Sequence, residues 1–269
     1  MKLSRGEAKL KYTILSFVFT LSIKTAAAPT ELTYRILERQ SQTLDNFVQG
    51  LEIIQKKLYL SSGGYGESSL RKYDVKSGEL ELEYKISSDI FAEGLTIFKN
   101  QLYLLSWRNK RVMIFDPINF NLLSNFKIPG EGWGITHNET HLIYSDGTDR
   151  IRFINPTSLK IDRILHVKDG QRRVKNLNEL EYINNNIWAN VWLSNRIIVI
   201  DPQSGKVIAF LDLNKIVREI NSSSTSNVLN GIALDSNERH IWITGKRWPW
   251  RFKIETSEAI PTDIKNALK

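Results

Sequence analysis

Glu93, Lys246, Gln49, Asn178, Asn230, Trp107, Trp133 and Trp192 occupy equivalent places in a repeated segment of this chain. As residue types they make a coherent set. A carboxylate can take a proton and later return it. A Lys ammonium and side-chain amides can face a developing anion. The faces of Trp can hold an organic ammonium by cation–π attraction, roughly 0.5–2 kcal/mol each. The other two equivalent places are filled by Gly63 and Gly147, which leave room for something else.

The equivalence comes from five segments: "QGLEIIQKKLYLSSG" from Gln49, "EGLTIFKNQLYLLSW" from Glu93, "WGITHNETHLIYSDG" from Trp133, "NELEYINNNIWANVW" from Asn178 and "NGIALDSNERHIWITGK" from Asn230. They start 40 to 52 residues apart. Each opens on a polar or aromatic residue, usually before Gly, then runs through an alternating strand, a polar turn and a second strand. A second hairpin follows each of the first four, around "DVKSG", "DPINF", "NPTSL" and "DPQSG", which is turn chemistry. Four short strands in about 40–45 residues is the size of a propeller blade. The expected fold is therefore all-β: a five-bladed β-propeller with four antiparallel strands per blade. The fifth unit has only three strands. The orphan strand "LTYRILER", Leu32–Arg39, is expected to supply the fourth and close the ring, which protects its edges. One helix is expected, over Leu213–Ile220.

In a propeller the first strand of each blade lines the central axis, so the equivalent positions form a ring at one mouth. Gln49, Glu93, Trp133, Asn178 and Asn230 open the first strands, and Gly63, Trp107, Gly147, Trp192 and Lys246 end the second. A structural ring would be expected to repeat one residue type. This one differs in every blade, as a binding site would. Glu93 is its only acid. Asn230 reads more readily as a cap on the backbone where a blade begins. Glu179 and Glu181 flank the site strand and read as structural, and "YGESS", Tyr65–Ser69, reads as a loop on the substrate side.

Residues 1–28 differ from the rest: a basic "MKLSRGEAKLK", an apolar run Tyr12–Ile23, then "KTAAAP". This is the order of a secretory signal. The long basic start and the Ser and Thr inside the run leave an uncleaved anchor as the alternative. The remainder, 29–269, reads as a single propeller domain with a short C-terminal tail. Removing 1–28 lowers the formal net charge from +8 to +4, too mild a basic balance for a nucleic-acid footprint. The chain has no Cys and four His, and the ring contains neither, so no metal and no cofactor are expected.

The ordered motifs "FVQGL", "YGESSLRKYD", "FAEGLT", "EGWGIT", "SDGT", "VKNLNELEY", "IWANVW", "VLNGIA" and "TGKRWP" give the chain a resemblance over residues 32–256 to the plant- and bacterial-type glutaminyl-peptide cyclotransferases, which are five-bladed propeller enzymes. The resemblance implies cyclisation of the N-terminal Gln of peptides to pyroglutamate with release of ammonia. It adds Phe47 and Phe91 to the site, beside Gln49, Glu93, Trp107, Trp133, Asn178, Trp192 and Lys246. Val48 and Ala92 stand where Thr is commoner in that family; both side chains are expected to point away from the mouth. On this reading Glu93 shuttles the proton, Lys246, Asn178 and Gln49 are the candidates for facing the oxyanion, and Phe47, Phe91 and the three Trp bind the substrate. The implied partners are peptides or proteins that begin with Gln. The implied state is an exported, periplasmic or secreted monomer that leaves the membrane once its signal is removed. Two other classes make different demands on the ring. A calcium-dependent propeller hydrolase needs several carboxylates in the ring. A non-catalytic propeller binding peptide N-termini would use the same aromatic cage.

Overall fold

Polar two-residue turns and alternating strands fold each repeat into hairpins. In the computed structural model, which describes residues 28–220, 224–235, 237 and 239–257, the first turn of a repeat puts two consecutive residues in the left-handed region. Gln55 and Lys56 have φ of 51° and 65°, and Asn184 and Asn185 have 52° and 60°. That geometry gives a turn whose twist matches the strands it joins. The second turn is held by its leading side chain. Asp74 Oδ1 accepts the N–H groups of Lys76 and Ser77 at 3.0 and 2.9 Å, and Asn155 Oδ1 those of Thr157 and Ser158, both at 3.0 Å.

The result is the expected five-bladed propeller of antiparallel sheets. The inner strands are Val48–Ile54, Ala92–Phe98, Ile135–His137, Leu177–Ile183 and Leu229–Asp235. Each touches the next, and the fifth touches the first. Both faces of every blade are therefore covered, and the buried apolar side chains fall into five clusters, one at each seam. The inner strands approach so closely that a Cβ on Gly50, Gly94 or Gly134 would lie 2.3 Å from Leu95 N, 2.7 Å from Ile135 N or 2.0 Å from Asn178 O. The Gly that follows the ring residue in each of the first three blades is a requirement of this packing.

The fourth blade carries Glu179 at that place. Its carboxylate accepts the N–H of Ile232 at 2.9 Å and of Leu51 at 3.4 Å, reaching across the axis to the fifth and first blades. Glu181 accepts from Leu234 N at 2.9 Å, and Glu52 from the Thr96 hydroxyl at 2.8 Å. All three carboxylates are buried, and burial pushes each one's pKa up, Glu52 to about 7. They tie the inner strands together inside the channel, which is the structural role expected of Glu179 and Glu181.

The ring closes through the N-terminal strand. Tyr34–Ser41 pairs antiparallel with Trp250–Thr256, from Tyr34↔Thr256 to Ser41↔Trp250, and is the fourth strand of the fifth blade. The expected start of that strand at Leu32 is corrected. Thr30–Leu32 is a separate short strand that pairs in parallel with Val207–Asp212 at the outer edge of the fourth blade. The chain must step from one blade edge to the next, and it breaks at Thr33 to do so. Ser257 N donates to Thr33 O at 2.9 Å, and Thr33 N to Ser257 Oγ at 3.1 Å, fixing the step. Leu32 is buried in the core between the fourth and fifth blades, with Leu213 and with Ile216 of the helix Asn214–Ile220. The segment read as an export signal and the tail after residue 257 lie outside the described residues.

Candidate active site

The ends of the inner hairpins meet at one mouth of the channel. A continuous chain of contacts runs round it through all five blades. Lys246 Nζ lies 5.0 Å from the centre of the Phe47 ring. Phe47 stands edge-on to Phe91 at 6.2 Å, and Phe91 packs on Trp107 at 5.5 Å. Trp107 Nε1 and Trp133 Nε1 both donate to Glu131 Oε2, at 2.8 and 3.0 Å. Trp133 stands edge-on to Trp192 at 5.8 Å. Six of the nine residues read from the sequence thus lie in one arc. The two ring glycines form its floor. A Cβ on Gly63 would lie 2.4 Å from the Phe91 ring, and one on Gly147, at φ 76°, 2.6 Å from that of Trp133.

The remaining three are buried beside the arc. Glu93 is 5% exposed. Burial raises its pKa well above the usual carboxylate range, the charge of Lys246 pulls it back, and the charge of Glu131 pushes it further up. Burial lowers the pKa of Lys246, against the pull of Glu93. Among the ion pairs of the described residues none joins the two, so each acts on the other at a distance. Asn178 is buried and its Oδ1 has no hydrogen-bond partner among the described residues. Gln49 is also buried. Asn230, read as a cap, is one: its Nδ2 donates to Val48 O at 2.9 Å, joining the fifth blade to the first. Val48 and Ala92 are fully buried in the apolar seams, away from the mouth.

Tyr65, in the loop read as lying on the substrate side, is half exposed, and its ring is 5.5 Å from that of Phe91. Glu67 of the same loop pairs with Arg247 at 3.4 Å, across from the fifth blade. Glu131 was missed. It makes Glu93 no longer the only acid at the mouth. Its signal was the acid in "EGWG", two residues before a ring Trp, but it precedes the strand and so falls outside the repeat positions.

Chemically, the arrangement places a partly desolvated carboxylate and a cation against an aromatic wall. It can hold an organic ammonium, take its proton and face a developing oxyanion. Among the described residues, no three His, Asp or Glu converge as metal ligands.

Comparison with known proteins gives one direction. The family model described as glutamine cyclotransferase matches residues 10–256. The chain is 36% identical over 219 residues to a glutaminyl-peptide cyclotransferase of Arabidopsis thaliana, covering 80% of this chain and 68% of that protein. Its structure is similar to the crystal structure of Myxococcus xanthus glutaminyl cyclase, with a TM-score of 0.79 and 29% identity, over 85% of this chain and 98% of that one.

Proposed function

Because the chain belongs to the glutamine cyclotransferase family, we propose that it converts the N-terminal glutamine of peptides and proteins to pyroglutamate, releasing ammonia, without a metal and with Glu93 as the proton shuttle. The observation that carries this reading is Glu93 itself: a buried carboxylate at an aromatic mouth, with a lysine charge close by and a raised pKa.

The substrate enters as an ammonium. The aromatic wall holds it, and Glu93 takes one proton, leaving a neutral amine. The amine nitrogen then attacks the carbon of the substrate's own side-chain carboxamide. A C–N bond forms and the carbonyl oxygen becomes an oxyanion, which faces Lys246. Once its new bond forms, the attacking nitrogen has a second proton to lose; Glu93 gives its first proton to the carboxamide nitrogen and then takes this second one. The carboxamide C–N bond breaks, ammonia leaves and the five-membered lactam remains. A carboxyl whose pKa burial raises well above the usual carboxylate range can serve both steps. The unpartnered Oδ1 of Asn178 suits the carboxamide N–H groups, which would orient the leaving nitrogen. The wall also favours a folded side chain, and ring closure gains most from such a near-attack conformer.

All five blades contribute side chains to one mouth, so a monomer is complete. The basic, apolar and small-residue order of residues 1–28 supports export to the periplasm or outside the cell. Among the described residues no helix is long and apolar enough to cross a membrane.

The test is direct. The purified chain is incubated with a peptide beginning in Gln, in excess chelator, and ammonia is measured. Ammonia should appear at the rate found without chelator. No ammonia under either condition would leave the peptide-binding alternative standing. Loss of activity in chelator, restored by a divalent ion, would defeat the metal-free mechanism.

A further inference from the structure

The wall of the mouth is held by a residue that does not itself face the axis. Glu131 lies in the loop before the inner strand of the third blade and is partly exposed. One of its oxygens, Oε2, receives the indole N–H of Trp107 from the second blade and of Trp133 from its own. Among the described residues these two N–H groups share this single acceptor, and one carboxylate oxygen fixes both ring planes at once. Each ring is also gripped on its far side, Trp107 by Phe91 and Trp133 by Trp192.

We propose that Glu131 is a positioning residue for substrate: it locks Trp107 and Trp133 into the orientation that holds the substrate's N-terminal ammonium. The inference rests on the cyclisation reading above. Two physical effects follow from the shared acceptor. Charge-assisted hydrogen bonds are the stronger kind, so both indoles are pre-organised before substrate arrives. A carboxylate on an indole N–H also pushes electron density into the ring, which strengthens the attraction of its face for a cation. Glu131 acts through the indoles and exchanges no proton with substrate.

The experiment compares wild type with Glu131→Gln, which keeps an acceptor oxygen but no charge, and Glu131→Ala, which keeps neither. Turnover of a Gln-initiated peptide is measured, together with binding of the same peptide beginning in norvaline, which has the amine but no carboxamide to react. Melting temperatures establish that each variant is folded. Glu131→Ala should raise KM for the Gln peptide and Kd for the norvaline peptide by about tenfold each, with kcat changed less than about threefold, because uniform binding is lost. Glu131→Gln should recover part of the affinity. Its tryptophan emission should stay nearer to wild type than that of Glu131→Ala. The pH profile supplies a readout that a packing role would not move. The charges acting on Glu93 are those of Lys246, which lowers its pKa, and Glu131, which raises it. Both variants should therefore move the acid limb of kcat/KM to lower pH. Unchanged KM and Kd in a folded Glu131→Ala protein would overturn the proposal, as would a Glu131→Gln variant no better than Glu131→Ala. A wild type that binds the norvaline peptide but releases no ammonia from the Gln-initiated peptide would sink the cyclisation reading instead, and leave the binding comparison intact.

Discussion

At Glu93 burial and a neighbouring cation pull in opposite directions, and the balance sets its working pH. Lys246 supplies the downward pull. Replacing Lys246→Met should raise the Glu93 pKa, because the ionised carboxylate loses its stabilising charge. The acid limb of the pH–rate profile should then move to higher pH, and turnover should fall roughly 10²-fold, as when an oxyanion donor is removed. A lower rate with an unmoved limb would leave Lys246 an oxyanion role alone. Glu93→Gln removes the carboxylate proposed as the shuttle but keeps the shape of the mouth. Its kcat should collapse while the norvaline peptide binds as to wild type; retained turnover would mean that another group moves the proton. The nine candidate residues were legible for two different reasons. Seven lie at fixed offsets of a repeat, where a ring of unlike residues stands out. Phe47 and Phe91 needed the resemblance, because an aromatic just before a strand in only two of the five repeats makes no ring pattern. Glu131 had neither support.

At the scale of elements, closure is the test of the architecture. The seam between the fifth and first blades has the smallest apolar cluster, nine buried residues against sixteen between the fourth and fifth. It is supplemented by polar contacts. Asn230 donates to Val48 O, Arg247 N to Asn46 O at 2.7 Å, and Gln40 to Val75 O at 3.0 Å. Removing residues 1–41 takes away Tyr34–Ser41 and bares the edge of Trp250–Thr256, whereas removing 1–28 does not. The longer deletion should lower the melting temperature by more than about 10 °C relative to the shorter one, since even 1 kcal/mol is worth about 2–4 °C at this size. Equal melting temperatures would count against closure by this strand. The blades and their order were readable because their turns are local chemistry. The Thr30–Leu32 strand was not, since three residues pairing in parallel with a blade far along the sequence leave no local pattern. The burial and partners of the axial carboxylates were equally hidden. "NELEY" alternates as a half-exposed strand does, but an innermost strand has no solvated face.

For the whole molecule, those carboxylates tie stability to pH. Glu52, Glu179 and Glu181 have folded pKa values above their ordinary value of 4.5. Below that pH both folded and unfolded chains carry them protonated. As pH rises the unfolded chain releases its protons first, so stability falls, through about 7 for Glu52. His137, held neutral down to about 4 by burial, works the other way, losing stability as pH falls from its ordinary 6.5. The Glu52 contribution is isolated by difference. Relative to wild type, Glu52→Gln should gain stability progressively from pH 4.5 to 7, by up to roughly 3 kcal/mol from the shift in its pKa. A difference that is flat with pH in denaturant titrations would show that Glu52 is charged in the folded state throughout.

The clasp that closes the ring also sets an order in time. Gln40 and Arg251, bonded in the finished molecule at 2.6 Å, are 211 residues apart. At synthesis rates of about 5–20 residues per second, the N-terminal strand waits on the order of 10–40 s for its partner to exist. Throughout that interval it is an open edge, of the kind that recruits other chains. Its sequence is suited to the wait: Arg35, Glu38 and Arg39 punctuate its apolar residues, as charges do where edge pairing must be discouraged. Chains stalled before Trp250 should be cut within residues 34–41 by added protease, and chains completed through Thr256 should resist. Equal resistance would mean that the strand finds shelter earlier. The last blade is thus assembled from two pieces made far apart in time, so a chain stalled before Trp250 holds every residue of the mouth but not the complete ring that frames it.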